Sequence, residues 1–482
     1  MSQEIRNLEP KALWNNFADL NAVPRPSKKE ERVRQFMVDF GNKLGLPTQV
    51  DPVGNVIIKK PATSGMENRK TIVMQSHLDM VCQKNNDTEF DFDTQGIIMF
   101  VDGDWVKAKG TTLGADNGIG VASIMSVLES KDIPHPAIEA LFTIDEETGM
   151  TGAIGLQGGY LDGEILLNLD TEDDDEIGVG CAGGIDITAT KKYSLNKVAS
   201  EMHAFKITVK GLQGGHSGMD IHKGFGNANK MMNRILYALK DVVLISEIDG
   251  GSLRNAIPRE SNAVIICENE DKMGEIYNTI AAEIKTEYAT IEKDLKIVIA
   301  NTVTPEFSMD SEAQNDLLKV IYATHNGVFR MSPDIEDLVE TSNNVARVIV
   351  KEGGIKIGCL TRSSVESGKM DLAYHIKSGF ELGSFDVELS GSYPGWKPNP
   401  NSAILKVLES VYEKMFNEKP NILACHAGLE CGILGTNYPE MDMISFGPNI
   451  RGAHSPDERA GISSTQKYWK YLLEILENIP VK

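Results

Sequence analysis

The stretch Val73-Met-Gln-Ser-His-Leu-Asp-Met-Val81 organises the rest of the chain. A short apolar run, Thr71 to Met74, reads as a buried strand, and His77 and Asp79 sit just past its end with one residue between them. Residues two apart on a continuing strand share a face. At a strand end the same spacing lets a carboxylate reach the far ring nitrogen of the histidine, fixing its tautomer and direction as a metal ligand requires. Alone, the pair equally describes a strand-end histidine beside an acid. Repetition of the design is what points to chemistry.

Pro136-Ala-Ile-Glu-Ala-Leu-Phe-Thr-Ile-Asp-Glu-Glu-Thr-Gly reads as a strand ending in Asp145, Glu146 and Glu147. Glu164-Ile-Leu-Leu-Asn-Leu-Asp-Thr-Glu reads as another, ending at Asp170. Strands interleaved with helices indicate an α/β domain with a mostly parallel sheet flanked by helices. Such sheets carry their sites beyond the carboxyl ends of the strands. Between the first two strands, Thr111-Thr-Leu-Gly-Ala-Asp-Asn-Gly-Ile-Gly-Val is a loop running into an apolar helix. Its glycines suggest a dinucleotide loop, but Asp102 to Gly110 is a poor preceding strand, Asp87 to Asp104 shows no clear element, and an acid there repels a pyrophosphate. Asp116 is left as an N-cap or a metal bridge.

The 482 residues suffice for two or three domains. A formal charge of −21 disfavours nucleic acid and anionic membrane as partners. Six scattered cysteines, without a Cys-x-x-Cys, argue for reduced thiols in a cytoplasmic setting. Neither a signal peptide nor a bilayer-length apolar run is visible.

From about Gly184 to Gly395 the strands alternate in polarity, as in His203-Ala-Phe-Lys-Ile-Thr-Val-Lys-Gly, which points to antiparallel sheets. Helices are expected over Gly226 to Leu239, Met273 to Ile291 and Glu312 to Thr324, with strands at 262–267, 295–300, 345–351 and 385–389. The pattern predicts an inserted α+β domain of two sandwich-like units, 184–395, splitting a catalytic domain made of 1–183 and 396–482. The site is expected in the cleft between the two.

His77, Asp116, Glu147, Asp170 and His454 form a set of two histidines and three carboxylates. Nitrogen with hard oxygen and no thiolate suits catalytic zinc, with manganese or cobalt as substitutes. The odd number of acids suits two divalent ions about 3.5–4 Å apart sharing one bridging carboxylate. Glu146, beside Glu147, is the candidate general base. Arg362, by its sequence context, reads as a solvated arginine.

The motifs Ser76-His-Leu-Asp79, Gly114-Ala-Asp-Asn-Gly118, Asp145-Glu-Glu-Thr-Gly149, Asn168-Leu-Asp170 and Gly452-Ala-His-Ser-Pro456 resemble those of the co-catalytic di-zinc family of aminoacylases, glutamate-releasing carboxypeptidases and dipeptidases. With Gly211-Leu-Gln-Gly-Gly-His-Ser-Gly218 and His426-Ala-Gly-Leu-Glu-Cys-Gly432, the likeness runs the whole length and is strongest to dipeptidases that release C-terminal histidine. The resemblance implies that Asp116 bridges two metals, His77 and Asp170 complete one site, and Glu147 and His454 the other. It implies that Asp79 orients His77 and Glu146 is the base. The inserted domain would be a lid, with His216 steadying the oxyanion and Asn255 and Arg362 binding polar groups of the substrate. The expected activity is hydrolysis of unblocked dipeptides, β-alanyl-histidine included. An N-acyl amino acid deacylase and a catalytically silent metal-binding protein are the alternatives. In many relatives a shorter lid acts across a dimer, so a homodimer is possible here, and His216 could serve its own or a partner's site. His426, Glu430 and Cys431 read as structural, Cys82 as core, and His135, His203, His222, His325 and His375 as surface.

Overall fold

The structure is a computed structural model describing residues 3–399 and 401–482; Met1, Ser2 and Pro400 lie outside the described residues. The chain divides into two units. One comprises Met1–Gly180, Pro398–Ala424 and Leu429–Lys482, the other Cys181–Lys397 and Cys425–Gly428.

In the first unit Ile138–Thr143, Ile72–His77, Ile165–Asn168 and Asp442–Ser445 lie side by side and parallel. The first three are buried throughout, as continuous apolar runs must be in a covered parallel sheet. Thr48–Val50 and Val56–Lys60 extend one margin and Glu176–Cys181 and Asn421–Cys425 the other, giving an eight-stranded sheet among the described residues. The joins to Val56–Lys60 and to Glu176–Cys181 are antiparallel, so the sheet is parallel at its centre and mixed overall. A tight turn suffices to join Thr48–Val50 antiparallel to Val56–Lys60, whereas a parallel pair needs a crossover.

Helix Ala115–Glu129 is buried on nearly every side and packs on Ile72–His77 and on helix Lys11–Leu20. Each fully buried Val, Leu or Ile there stabilises the fold by roughly 1.5–3 kcal/mol. Its glycines serve packing. A Cβ at Gly120 would collide with Ser76 Oγ and lie 2.6 Å from the Leu169 carbonyl. The segment before it does contain strands, Met99–Asp102 and Trp105–Ala108, which correct the reading of Asp87 to Asp104 as without a clear element and of Asp102 to Gly110 as a poor strand. They pair antiparallel in a separate four-stranded sheet with Arg459–Gly461 and Ile450–Arg451, so no dinucleotide-type crossover forms. Helices Ala403–Phe416 and Ile462–Glu477 pack together, with Tyr412, Phe416 and Tyr471 meeting edge to face.

The second unit is built on a sheet of nine strands among the described residues, whose pairings are antiparallel. Leu244–Gly250 pairs with Val339–Lys351, so the two expected α+β units share one continuous sheet. Helices Ala228–Leu239, Glu270–Tyr288, Ser311–Ala323 and Glu366–Leu382 contribute to a single apolar core on it. The last of these helices carries Gly368 and Gly379 inside it, which weakens its sequence signal.

Candidate active site

Strand register sets the levels of the site. His77 stands beside Thr143 on one neighbouring strand, and Gln75 beside Asn168 on the other. Two residues past Thr143 and Asn168 come Asp145 and Asp170, so His77, the Asp145–Glu147 turn and Asp170 emerge together at the carboxyl ends of the parallel strands. Helix Ala115–Glu129 brings Asp116 to the same place. Asp116 is not an N-cap: it lies inside the helix with non-helical φ −80° and ψ 109°, and Gly114 holds the capping position.

The five residues converge. Asp116 Oδ1 lies 3.2 Å from His77 Nε2 while its Oδ2 lies 3.2 Å from His454 Nε2. His77 Nε2 is 3.6 Å from Asp170 Oδ1, and His454 Nε2 is 3.0 Å from Glu147 Oε2. Two groups of three therefore share Asp116: His77, Asp116 and Asp170, and Asp116, Glu147 and His454, each with ligand atoms within 4.8 Å of one another. Asp79 lies behind His77, with Oδ1 3.4 Å from Nδ1. The same carboxylate accepts from the backbone N–H groups of Glu146 at 3.0 Å and Glu147 at 3.2 Å, and from Ser27 Oγ at 2.8 Å. Asp145 and His454 adopt left-handed backbone, φ 54° and φ 63°, unusual outside glycine and common where a functional turn is over-determined by its surroundings.

Residues 73–478 match the model of peptidase family M20/M25/M40. The chain belongs to this family. Its sequence is 44% identical to the cytosol non-specific dipeptidase of Escherichia coli, over 99% of this chain and 100% of that protein. The aminoacylhistidine dipeptidase of Vibrio alginolyticus superposes with a TM-score of 0.94 at 46% identity, covering 100% of this chain and 99% of the other. Aminopeptidase PepT from Bacillus cereus shares the fold at a TM-score of 0.58 and 17% identity, covering 98% and 99% of the two chains.

The donor set of this peptidase fits cations. Glu147 Oε1 is buried without a hydrogen-bond partner among the described residues, and acids outnumber the histidines that face them. Burial and mutual repulsion raise the proton affinity of part of this cluster. Burial pushes Glu146 up to about 8, and burial likewise carries Asp170 well above the usual carboxylate range. Hydrogen bonds to Asp116 and Glu147 lift His454 to about 11. Burial opposes the charge on Asp79, yet the adjoining His77 brings it down to about 2. Cations binding such a site displace its protons.

The residues expected on the lid lie in the second unit. His216 Nδ1 accepts from the backbone N–H groups of Gly218 and Met219, at 3.2 and 3.1 Å, which leaves the proton on Nε2. Burial, then the nearby Arg362 charge, lowers its pKa, favouring the neutral ring. Asn255 is exposed on the adjoining segment, where its carbonyl accepts from Ser217 N–H at 2.7 Å. Arg362 is only 4% exposed, donates to Tyr393 Oη at 2.8 Å, and has a buried Nε without a partner among the described residues. This corrects its reading as a solvated side chain. The Tyr393 hydroxyl and the nearby Asp186 carboxylate offset the cost of enclosing this guanidinium.

The stretch His426 to Cys431 divides between the units. His426 is buried with its Nε2 2.8 Å from Ser342 Oγ. Glu430 is buried in the first unit, accepting from Gln75 Nε2 at 2.6 Å and Thr143 Oγ1 at 2.7 Å. His135, expected on the surface, is fully buried, and Cys82, expected in the core, is half-buried. His203, His222 and His375 are exposed and His325 is half-buried. Sequence reading missed Arg25, whose guanidinium donates to the carbonyls of Leu78 and Asp79 at 3.0 Å and to that of Gly114. It also missed Glu458. An acid four residues past His454 was the available signal.

Proposed function

We propose that this peptidase hydrolyses unblocked dipeptides, preferentially those ending in histidine and including β-alanyl-histidine, with two divalent ions, zinc before manganese or cobalt. The observation that carries the reading is the split of Asp116, one carboxylate oxygen toward each histidine. His77, Asp170 and Asp116 would hold one ion, and His454, Glu147 and Asp116 the other. Bound ions supply polarisation of the scissile carbonyl and acidification of water. Glu146, held among these groups, takes the proton of the attacking water and delivers it to the departing amine. The Nε2–H of His216 suits the developing oxyanion, since a neutral donor needs no proton transfer to act. The planar fork of Arg362 suits a terminal carboxylate, and Asn255 supplies a further polar contact. A dipeptidase from Escherichia coli named for the cytosol supports a cytoplasmic setting.

Turnover of β-Ala-His, Gly-Gly and an N-acetyl amino acid, before and after chelation and with zinc or manganese restored, tests the proposal. Metal-dependent hydrolysis, fastest on β-Ala-His, is expected. Faster release from the N-acetyl amino acid makes the protein a deacylase. No turnover of any of the three by ion-loaded protein makes it a silent binder.

A further inference from the structure

We propose that Glu458 is a positioning residue: it takes over the free N–H groups at the start of helix Ala115–Glu129 and so reserves the Asp116 carboxylate for the ions. The inference rests on the two-ion reading above. The first turn of a helix has N–H groups without partners in the helix, and a nearby aspartate ordinarily accepts from them. Asp116 is the acid at hand. In this helix the capping residue is Gly114, which has no side chain to offer. Glu458 instead accepts from Leu113 and Gly114 through Oε2, at 2.7 and 2.9 Å, and from Ala115 and Asp116 through Oε1, at 2.7 and 3.2 Å. All four donors belong to backbone beside the bridging residue, and Glu458 is 3% exposed.

The clamp also sets a distance. Ser455 N–H bonds to the Gly452 carbonyl and Glu458 N–H to the Ser455 carbonyl, so His454 and Glu458 sit on two consecutive tight turns joined at Ser455. Anchoring Glu458 to 113–116 therefore holds His454 Nε2 against Asp116 Oδ2. Arg25 faces the clamp from the other side through the Gly114 carbonyl and ties it to 78–79, beside His77. Glu458 thus couples the two halves of the proposed metal set while both its carboxylate oxygens stay on backbone N–H groups.

Equilibrium dialysis of Mn²⁺ with metal analysis, electron paramagnetic resonance of the Mn²⁺-loaded protein, and steady-state kinetics should be compared for wild type, Glu458→Gln and the exposed neighbour control Asp457→Asn. Glutamine keeps the shape but presents one accepting oxygen instead of two. The expected result is a roughly 10- to 100-fold weaker second ion, the range for lost supporting contacts. The exchange-coupled pair signal should give way to that of isolated Mn²⁺, with kcat falling in step and KM near wild type. Should the glutamine variant fail to fold, Glu458→Asp retains the charge but shortens the reach and is expected to show the same loss. A variant with a lower melting temperature but unchanged ion affinities and pair signal overturns the inference and leaves the two-ion reading standing. Wild type that takes up fewer than two ions overturns both.

Discussion

Asp79 accepts the backbone N–H of Glu146 at 3.0 Å, so the carboxylate behind the His77 ring also holds the turn that presents the proposed base. Orientation of a ligand and of a base thereby depends on one buried side chain, 0% exposed. Asp79→Asn removes the charge and half of its accepting capacity. Its kcat should fall roughly 10- to 100-fold together with ion affinity, as measured by steady-state kinetics and dialysis. A kcat loss with ion binding intact would restrict the role of Asp79 to Glu146.

Glu146→Gln separates chemistry from assembly. Loss of the proton carrier should lower kcat by about 10²–10⁴-fold. Ion stoichiometry should remain that of wild type, because the variant retains His77, Asp116, Glu147, Asp170 and His454. Retention of full activity would remove Glu146 from the mechanism.

Ion removal should cost stability as well as activity. Ions that bind the folded chain and not the unfolded one add about 4 kcal/mol when present at 1,000 times their Kd. Melting temperature should therefore rise with added Zn²⁺ after chelation, in parallel with recovered turnover. In His454→Ala the increment from one ion should disappear. An unchanged melting curve would show that the five side chains do not bind the ion.

His426 makes a pH prediction for the second unit. Burial, reinforced by the Arg362 charge, lowers its pKa to about 3 from the ordinary 6.5. The unfolded chain therefore binds the extra proton between pH 6.5 and about 3, and the folded chain does not. The stability contributed by the neutral ring is complete above 6.5 and is lost as pH falls toward 3, by up to about 1.4 kcal/mol per unit for one proton. Denaturant unfolding of wild type and His426→Gln across this range should differ in slope accordingly. Equal slopes would mean that the ring is protonated in the folded protein.

Arg362→Lys keeps the positive charge but loses the fork. A raised KM for unblocked dipeptides, roughly 10- to 100-fold for a lost charge-assisted contact, with a smaller change in kcat, is expected. An effect confined to kcat would point to the reacting centre instead of the terminal carboxylate.

Much of the site was legible because its chemistry rides on strong local signals. His77, Asp145 to Glu147 and Asp170 each follow an apolar run long enough to be a buried strand. An acid at such a place needs a reason, and the sequence alone supplies the residue types that suit cations. It also separates the α/β character of the flanking segments from the alternating strands of the middle. Helix Glu366–Leu382 was hidden because interior glycines and a weak apolar stripe blur its period. Strands Gly354–Ser363 and Gly183–Lys192 escaped because one end of each is buried while the other alternates, so neither a clean period of two nor a full apolar run appears.

What the linear order of residues determined is which groups could bind ions and which segments had to be buried, since side-chain chemistry and hydrophobic periodicity are properties of the chain itself. What only folding decided is their arrangement. That Asp116 faces two histidines 39 and 338 positions away, that Arg362 is enclosed, and that Glu458 takes the helix N–H groups Asp116 leaves free are consequences of strand register and backbone hydrogen bonding. Those contacts join residues far apart along the chain, and no local pattern encodes their distance.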